Sequence, residues 1–321
     1  MKKTALILIL GGLVALTACK PDGDSRFMPA FTENFNAATT QNFNTHLSPL
    51  RYYCGVHSLT EENTDVMLMT IHPGDAAGPS KGGSEIETTK MTHFGTYSAR
   101  LRMPDLRQVQ PNVGMVTGFF TYRFTEGFGL SEIDIEWLLA DPTLIYLGTW
   151  TSAPDNVNKL QRIERTVNLA TGEILFTKYR SYHDYIDNPS PAKENFFDEA
   201  DDAALTPRTI PVIEGFDASS RFYVYGFDWY PNRLSWWIEH PETSEKIVLW
   251  DYQGTTPHYS GIPQSPTNFM LNFWHTDNWA VDTNPLATEA PKSTYMMEVD
   301  WIKYEPYEDL NAAWRAENKF Q

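Results

Sequence analysis

The chain has 321 residues, 41% hydrophobic and 14% aromatic, which is enough apolar content to close one large core. Its formal net charge of −16 argues against nucleic acid as a partner and, by the same repulsion, favours a neutral partner over a polyanionic one. Two cysteines exclude a disulfide-stapled scaffold.

In chain order, Met1, Lys2, Lys3 and Thr4 precede an apolar run over residues 5–16, the charged and hydrophobic regions of an export signal. The run is too short to cross a bilayer as a helix. Leu16, Thr17, Ala18 and Cys19 resemble a bacterial lipobox, which implies cleavage after residue 18 and acylation of Cys19. The alternative is an ordinary signal peptide with a chance cysteine, and both readings export the chain. Loss of residues 1–18, with their two lysines and no acids, moves the charge to about −18. Acylation of Cys19 would leave Cys54 without a disulfide partner. Lys20, where an aspartate would favour inner-membrane retention, points to the outer membrane in a host that has one. Residues 19–30 are expected as a tether, 31–308 as an all-β domain and 309–321 as a C-terminal appendage.

Short aromatic and β-branched segments follow at 66–71, 95–103, 114–123, 131–137, 221–230 and 234–239, separated by Gly, Pro, Asn and Asp. Strands at this density, with few helical periods between them, predict a sandwich or barrel of antiparallel sheets. The last two segments, joined across Tyr230, Pro231, Asn232 and Arg233, read as a hairpin. Residues 182–207 are acidic and proline-bearing and read as a surface excursion, and 310–318 as a short terminal helix.

Residues 131–137 carry the sharpest signal. Glu132, Asp134 and Glu136 alternate with Ile133 and Ile135, so a strand places three carboxyls on one face and two isoleucines on the other. Adjacent acids repel, and each raises the free energy of ionising the next. Such a cluster suits chemistry that needs one protonated and one ionised carboxyl, as general acid and nucleophile. A solvated or calcium-binding strand face is the alternative that alternation leaves open. The Cα atoms of Glu132 and Glu136 would stand about 13 Å apart on an extended strand. Retaining glycosidases hold their carboxyls about 5 to 5.5 Å apart, so the side chains must lean together.

The run from Glu132 to Glu136 matches the active-site signature of glycoside hydrolase family 16, and neighbouring blocks extend the resemblance. Residues 93–104, 118–122, 222–238, 269–274 and 299–304 resemble that family's strands in order, covering about 60–307. The resemblance implies a concanavalin-like β-jelly roll with a concave cleft, acting as a retaining endo-glycanase on a β-linked polysaccharide. Glu132 would be the nucleophile, Asp134 its assistant and Glu136 the acid/base, with no cofactor for catalysis. One residue between Asp134 and Glu136 resembles lichenases and transglycosylases, pointing to a β-1,3 or mixed β-1,3/1,4-glucan or an exopolysaccharide. The lichenase pattern has an asparagine near Gly148 and a tyrosine near Trp150, so subsite chemistry differs here.

By position in these blocks, Phe120, Tyr122, Trp150, Asn272, Trp274 and Trp279 are the expected cleft residues, aromatic rings suiting the apolar faces of sugars. Asp300 matches an aspartate that helps hold a structural calcium in many members. Hard cations want several oxygen ligands, and only this one is named by position. The eight histidines show no metal-ligand spacing. The chain is expected to be a monomer at the cell envelope, in contact with its polysaccharide and, through the anchor, the membrane. Transglycosylation and a non-catalytic glycan-binding role are the alternatives, and retention of all three acids disfavours the second.

Overall fold

The computed structural model describes residues 24–45, 51–79, 81–153, 156–182, 205–254 and 261–320. The expected leader 1–18, Cys19, the first part of the expected tether and most of the expected 182–207 excursion lie outside the described residues. The first strands are β1 (Phe31–Glu33), β2 (Phe43–Thr45), β3 (Tyr52–His57), β4 (Asp65–Ile71), β5 (Ser84–Thr88), β6 (Gly95–Arg102), β7 (Met115–Thr125) and β8 (Gly129–Leu138). Next come β9 (Leu144–Ala153), β10 (Asn156–Asn168), β11 (Glu173–Tyr182), β12 (Tyr223–Tyr230), β13 (Arg233–Glu239), β14 (Lys246–Tyr252), β15 (Asn268–His275), β16 (Tyr295–Pro306) and helix α1 (Glu308–Asn318).

The strands form two sheets of eight. The front sheet runs β11-β10-β9-β8-β7-β15-β5-β2, and the back sheet β14-β13-β12-β6-β16-β4-β3, with β1 also paired to β16. Neighbours such as β7 and β15, or β6 and β16, are distant in sequence and antiparallel, so the chain crosses repeatedly between sheets as a β-jelly roll does. The strands expected at 66–71, 95–103, 114–123, 131–137, 221–230 and 234–239 correspond to β4, β6, β7, β8, β12 and β13. In the β12/β13 hairpin Tyr230 pairs with Arg233, leaving Pro231 and Asn232 as the turn.

Alternation divides every central strand. From the front sheet Phe119, Ile133, Ile135, Leu147, Phe269 and Leu271 point into one core, where they meet Tyr97, Leu101, Phe227, Trp229, Trp236 and Ile302 of the back sheet. Rings bridge the layers, Phe119 to Phe227 at 5.7 Å and Tyr97 to Phe269 at 5.0 Å between centroids. Each such side chain contributes about 1.5–3 kcal/mol by leaving water. The other face of the front sheet is thereby free to carry polar chemistry.

The C-terminal segment, expected as an appendage, is part of this packing. Helix α1 buries Asn311 and Trp314, the indole meeting His93 at 4.7 Å and Phe128 at 5.5 Å, while Asn311 Nδ2 donates to the Phe94 carbonyl at 2.8 Å. The sequence marked the helix but not its partners, which lie more than 180 residues upstream in the chain. Cys54 is a buried free thiol, and burial, reinforced by Glu33, pushes it up to about 11, so it is chemically quiet.

Candidate active site

β8 lies at the centre of the front sheet, and pairing with β7 and β9 lays its acidic face across three rows. One row runs Asn272, Gly118, Glu136, Tyr146; the next Met270, Phe120, Asp134, Gly148, Glu164; the third Tyr122, Glu132, Trp150, Arg162. Ile133 and Ile135, at 0% and 1% exposure, anchor the strand from behind. Trp236 of the back sheet, stacked on Trp250 at 4.8 Å, donates its indole N–H to the main-chain carbonyl of Asp134 at 3.1 Å. The middle of the acidic run is thus held from across the core.

A cavity of about 430 Å³ opens over this face. Glu132, Asp134 and Glu136 line it together with Phe120, Tyr122, Asn272 and Trp274, and Glu85 and Glu87 of β5 lie on its far side. Asp134 is only 6% exposed, and the two glutamates are half-buried. Room for the carboxyls depends on two glycines. A Cβ on Gly118 would stand 2.6 Å from Asn272 Oδ1, and one on Gly148 would stand 2.9 Å from the Ile163 carbonyl. An asparagine in place of Gly148 would therefore collide with β10 unless that strand moved.

Burial raises all three carboxyls above their ordinary range, with repulsion from Glu136 adding to it at Glu132, and repulsion from both glutamates at Asp134. Glu132 is pushed up to about 8 and Glu136 to about 7, with Arg162 opposing the rise at all three. Groups this close release protons in shared steps, so near neutrality the cluster holds both protonated and ionised carboxyl. That mixture is what acid and nucleophile require together.

The same shift has a stability consequence. A carboxyl whose pKa is raised on folding favours the folded state below its unfolded value of 4.5, and this contribution disappears as pH rises through about 7 to 8. E136Q, which removes one charge and keeps the shape, is expected to melt about 2–4 °C above the parent at pH 8, a difference of about 1 kcal/mol. The two should melt together at pH 4.5, and a gap that persists or reverses there would contradict the charge origin; scanning calorimetry across pH measures it.

The remaining expected residues divide. Trp150 stands beside Glu132, but the Arg162 guanidinium lies 4.7 Å over its ring, so one face of the indole is covered. Trp279 does not line the cavity; it packs edge-on against Tyr146 at 5.5 Å, behind Trp274. Asp300 is committed elsewhere: its Oδ2 accepts from Arg100 Nη1 at 2.6 Å, while Arg100 Nη2 donates to Glu61 Oε1 at 2.7 Å. Asp300 is thus paired with a guanidinium, and among the described residues no three His, Cys, Asp or Glu are grouped to hold a metal. Arg162, Tyr146, Glu85 and Glu87 were not singled out from sequence. The alternation of Arg162, Glu164 and Thr166 with Ile163 and Val167 carried the signal for β10, but Arg165, at 1% exposure on the inward face, breaks its polarity.

The β-glucanase of Bacillus licheniformis is 22% identical to this chain over 315 residues, spanning 95% of the chain and 97% of that relative. Two solved structures share the fold. The endo-β-1,3-glucanase of Pyrococcus furiosus superposes with a TM-score of 0.50 at 15% identity, covering 86% of this chain and 93% of its own. The Crh5 transglycosylase in complex with NAG gives 0.51 at 14%, covering 87% and 85%. Sequence relatives and site together define a glycosidase built on a β-jelly roll. Residues 50–186 match the family described as glycosyl hydrolases family 16.

Proposed function

We propose that this glycosidase is an endo-acting, retaining hydrolase of a β-linked glucan with 1,3 or mixed 1,3 and 1,4 linkages. The observation that carries the reading is the single strand face on which Glu132, Asp134 and Glu136 line one open cavity. Glu132 attacks the anomeric carbon while Glu136 protonates the departing glycosidic oxygen, giving a covalent glycosyl-enzyme. Glu136 then takes a proton from water, which displaces Glu132. Asp134, buried between them, keeps a proton or a charge in reserve according to the state of its neighbours. Phe120, Tyr122 and Trp274 offer ring surface to the sugars, and Asn272 offers an amide. The glucan choice is supported by the β-glucanase relatives and by the acidic balance of the chain.

The test is reducing-end release from lichenan, laminarin, xyloglucan, agarose, carrageenan and an acidic exopolysaccharide, with products sized by mass spectrometry. Short oligosaccharides from lichenan or laminarin support the proposal. Products longer than the input point to transfer instead, and binding without turnover to a glycan-binding role.

The lipobox-like segment ending in Cys19 supports export and anchoring at the cell envelope. Labelled palmitate is expected to enter the full chain and not C19A, with the variant recovered in the soluble fraction. Equal labelling of both would remove the anchor from the proposal.

A further inference from the structure

We propose that Arg162 is the positioning residue of this site: stacked on Trp150 in the row of Glu132 and lining a recess with Asp134 and Glu136, it is the built-in counter-charge that lets the carboxyl cluster hold a carboxylate in the free enzyme. This rests on the reading of Glu132 as nucleophile. The difficulty it answers is electrostatic. Three carboxyls share the cavity face of one strand, Glu85 and Glu87 lie across the cavity, and Glu164 stands beside them on β10, in a chain whose net charge is −16. Unopposed, such a cluster would resolve its repulsion by taking up protons, leaving no carboxylate to attack.

Geometry singles out one cation. Arg162 pairs in register with Trp150, which pairs with Glu132, so the guanidinium stands in the row of the nucleophile, two strands away. It is held in two ways, by the Trp150 ring at 4.7 Å and by Glu164, whose Oε2 is 3.1 Å from Nε. The stack and the ion pair together restrict the guanidinium to this part of the sheet. Arg162 also lines a recess of the cleft together with Asp134 and Glu136. The other charged or titratable groups nearby are Tyr122 from β7, Tyr146 from β9, Glu164 from β10 and Lys178 from β11. Tyr146 gives its hydroxyl to Asp282 at 3.0 Å, and the Lys178 ammonium lies 4.1 Å over the Phe176 ring. Arg165, the next arginine on β10, points the opposite way, its Nη1 donating to the carbonyls of Pro207 at 2.9 Å and Leu249 at 3.1 Å. In accord with this placement, Arg162 opposes the pKa rise of each of the three carboxyls.

The experiment follows two readouts in the full-length protein and in R162Q, R162K and E164Q. The first is carbon-13 NMR titration of the Glu132 and Glu136 carboxyls, which needs no turnover. The second is the pH profile of kcat/KM on whichever polymer the wild type cleaves. In R162Q both the titration and the acid limb are expected to move up by about one pH unit, a tenfold loss of kcat/KM on the acid side with KM little changed. R162K is expected to restore most of the shift, and E164Q, which removes a competing anion, to move the limb down. A merely structural arginine would lower activity equally at every pH and leave the titration in place, and that result in R162Q overturns the proposal. Carboxyls that still shift with Arg162 in a wild type that cleaves no polymer would support the counter-charge and overturn the hydrolase reading instead.

Discussion

E132Q is expected to lose at least about three orders of magnitude in kcat on the polymer that the wild type cleaves, with its melting temperature equal to or above that of the parent. Three orders correspond to about 4 kcal/mol of activation free energy. The side chain it replaces is half-buried on a strand whose opposite face, Ile133 and Ile135, supplies the packing, so the amide disturbs no core contact. It also removes one of three mutually repelling charges, which is why stability is not expected to fall. The cavity keeps Phe120, Tyr122, Asn272 and Trp274, so glycan affinity should persist within about twofold, and the variant should hold uncleaved polymer. Turnover near the wild-type rate would remove Glu132 from the role of nucleophile. Lost turnover together with lost binding and a lowered melting temperature would show a collapsed site rather than a missing nucleophile. Calorimetry and affinity electrophoresis alongside the rate assay separate these results.

The acids on β8 were legible in sequence because strand alternation is strictly local: Glu132, Asp134 and Glu136 need only extended backbone to share a face, and the isoleucines between them say which face is inside. The central strands were legible for the same reason. What escaped the sequence depends on contacts far along the chain. Trp150 reads as a sugar platform until β10 pairs with β9 and lays Arg162 on it. Arg165 is buried, its charge met by two main-chain carbonyls and the face of Trp250 at 5.3 Å, none of them near it in sequence. Asp300 looks like a free oxygen ligand until Arg100, 200 residues earlier, is placed against it. In each case one long cationic side chain decides the outcome, and its reach of several ångströms makes its partner unreadable from spacing.

The acid/base role of Glu136 separates from that of Glu132 by the leaving group. On the natural polymer E136A is expected to lose about 10²- to 10⁴-fold in kcat/KM, because a sugar alkoxide leaves poorly without a proton. On an aryl glycoside whose phenolate leaves unaided, formation of the glycosyl-enzyme should be nearly unimpaired, and its hydrolysis should become slow for want of a base. A burst of phenolate followed by a slow steady state is therefore expected in stopped-flow measurements of E136A. Added azide, which needs no base, should speed the slow phase and give a glycosyl azide of retained anomeric configuration. In E132A azide instead takes the place of the missing nucleophile and must give the inverted azide. Opposite configurations from the two variants would fix each carboxyl in its role on the same strand face, and the same configuration from both would mean that the two do not stand on opposite sides of the sugar ring.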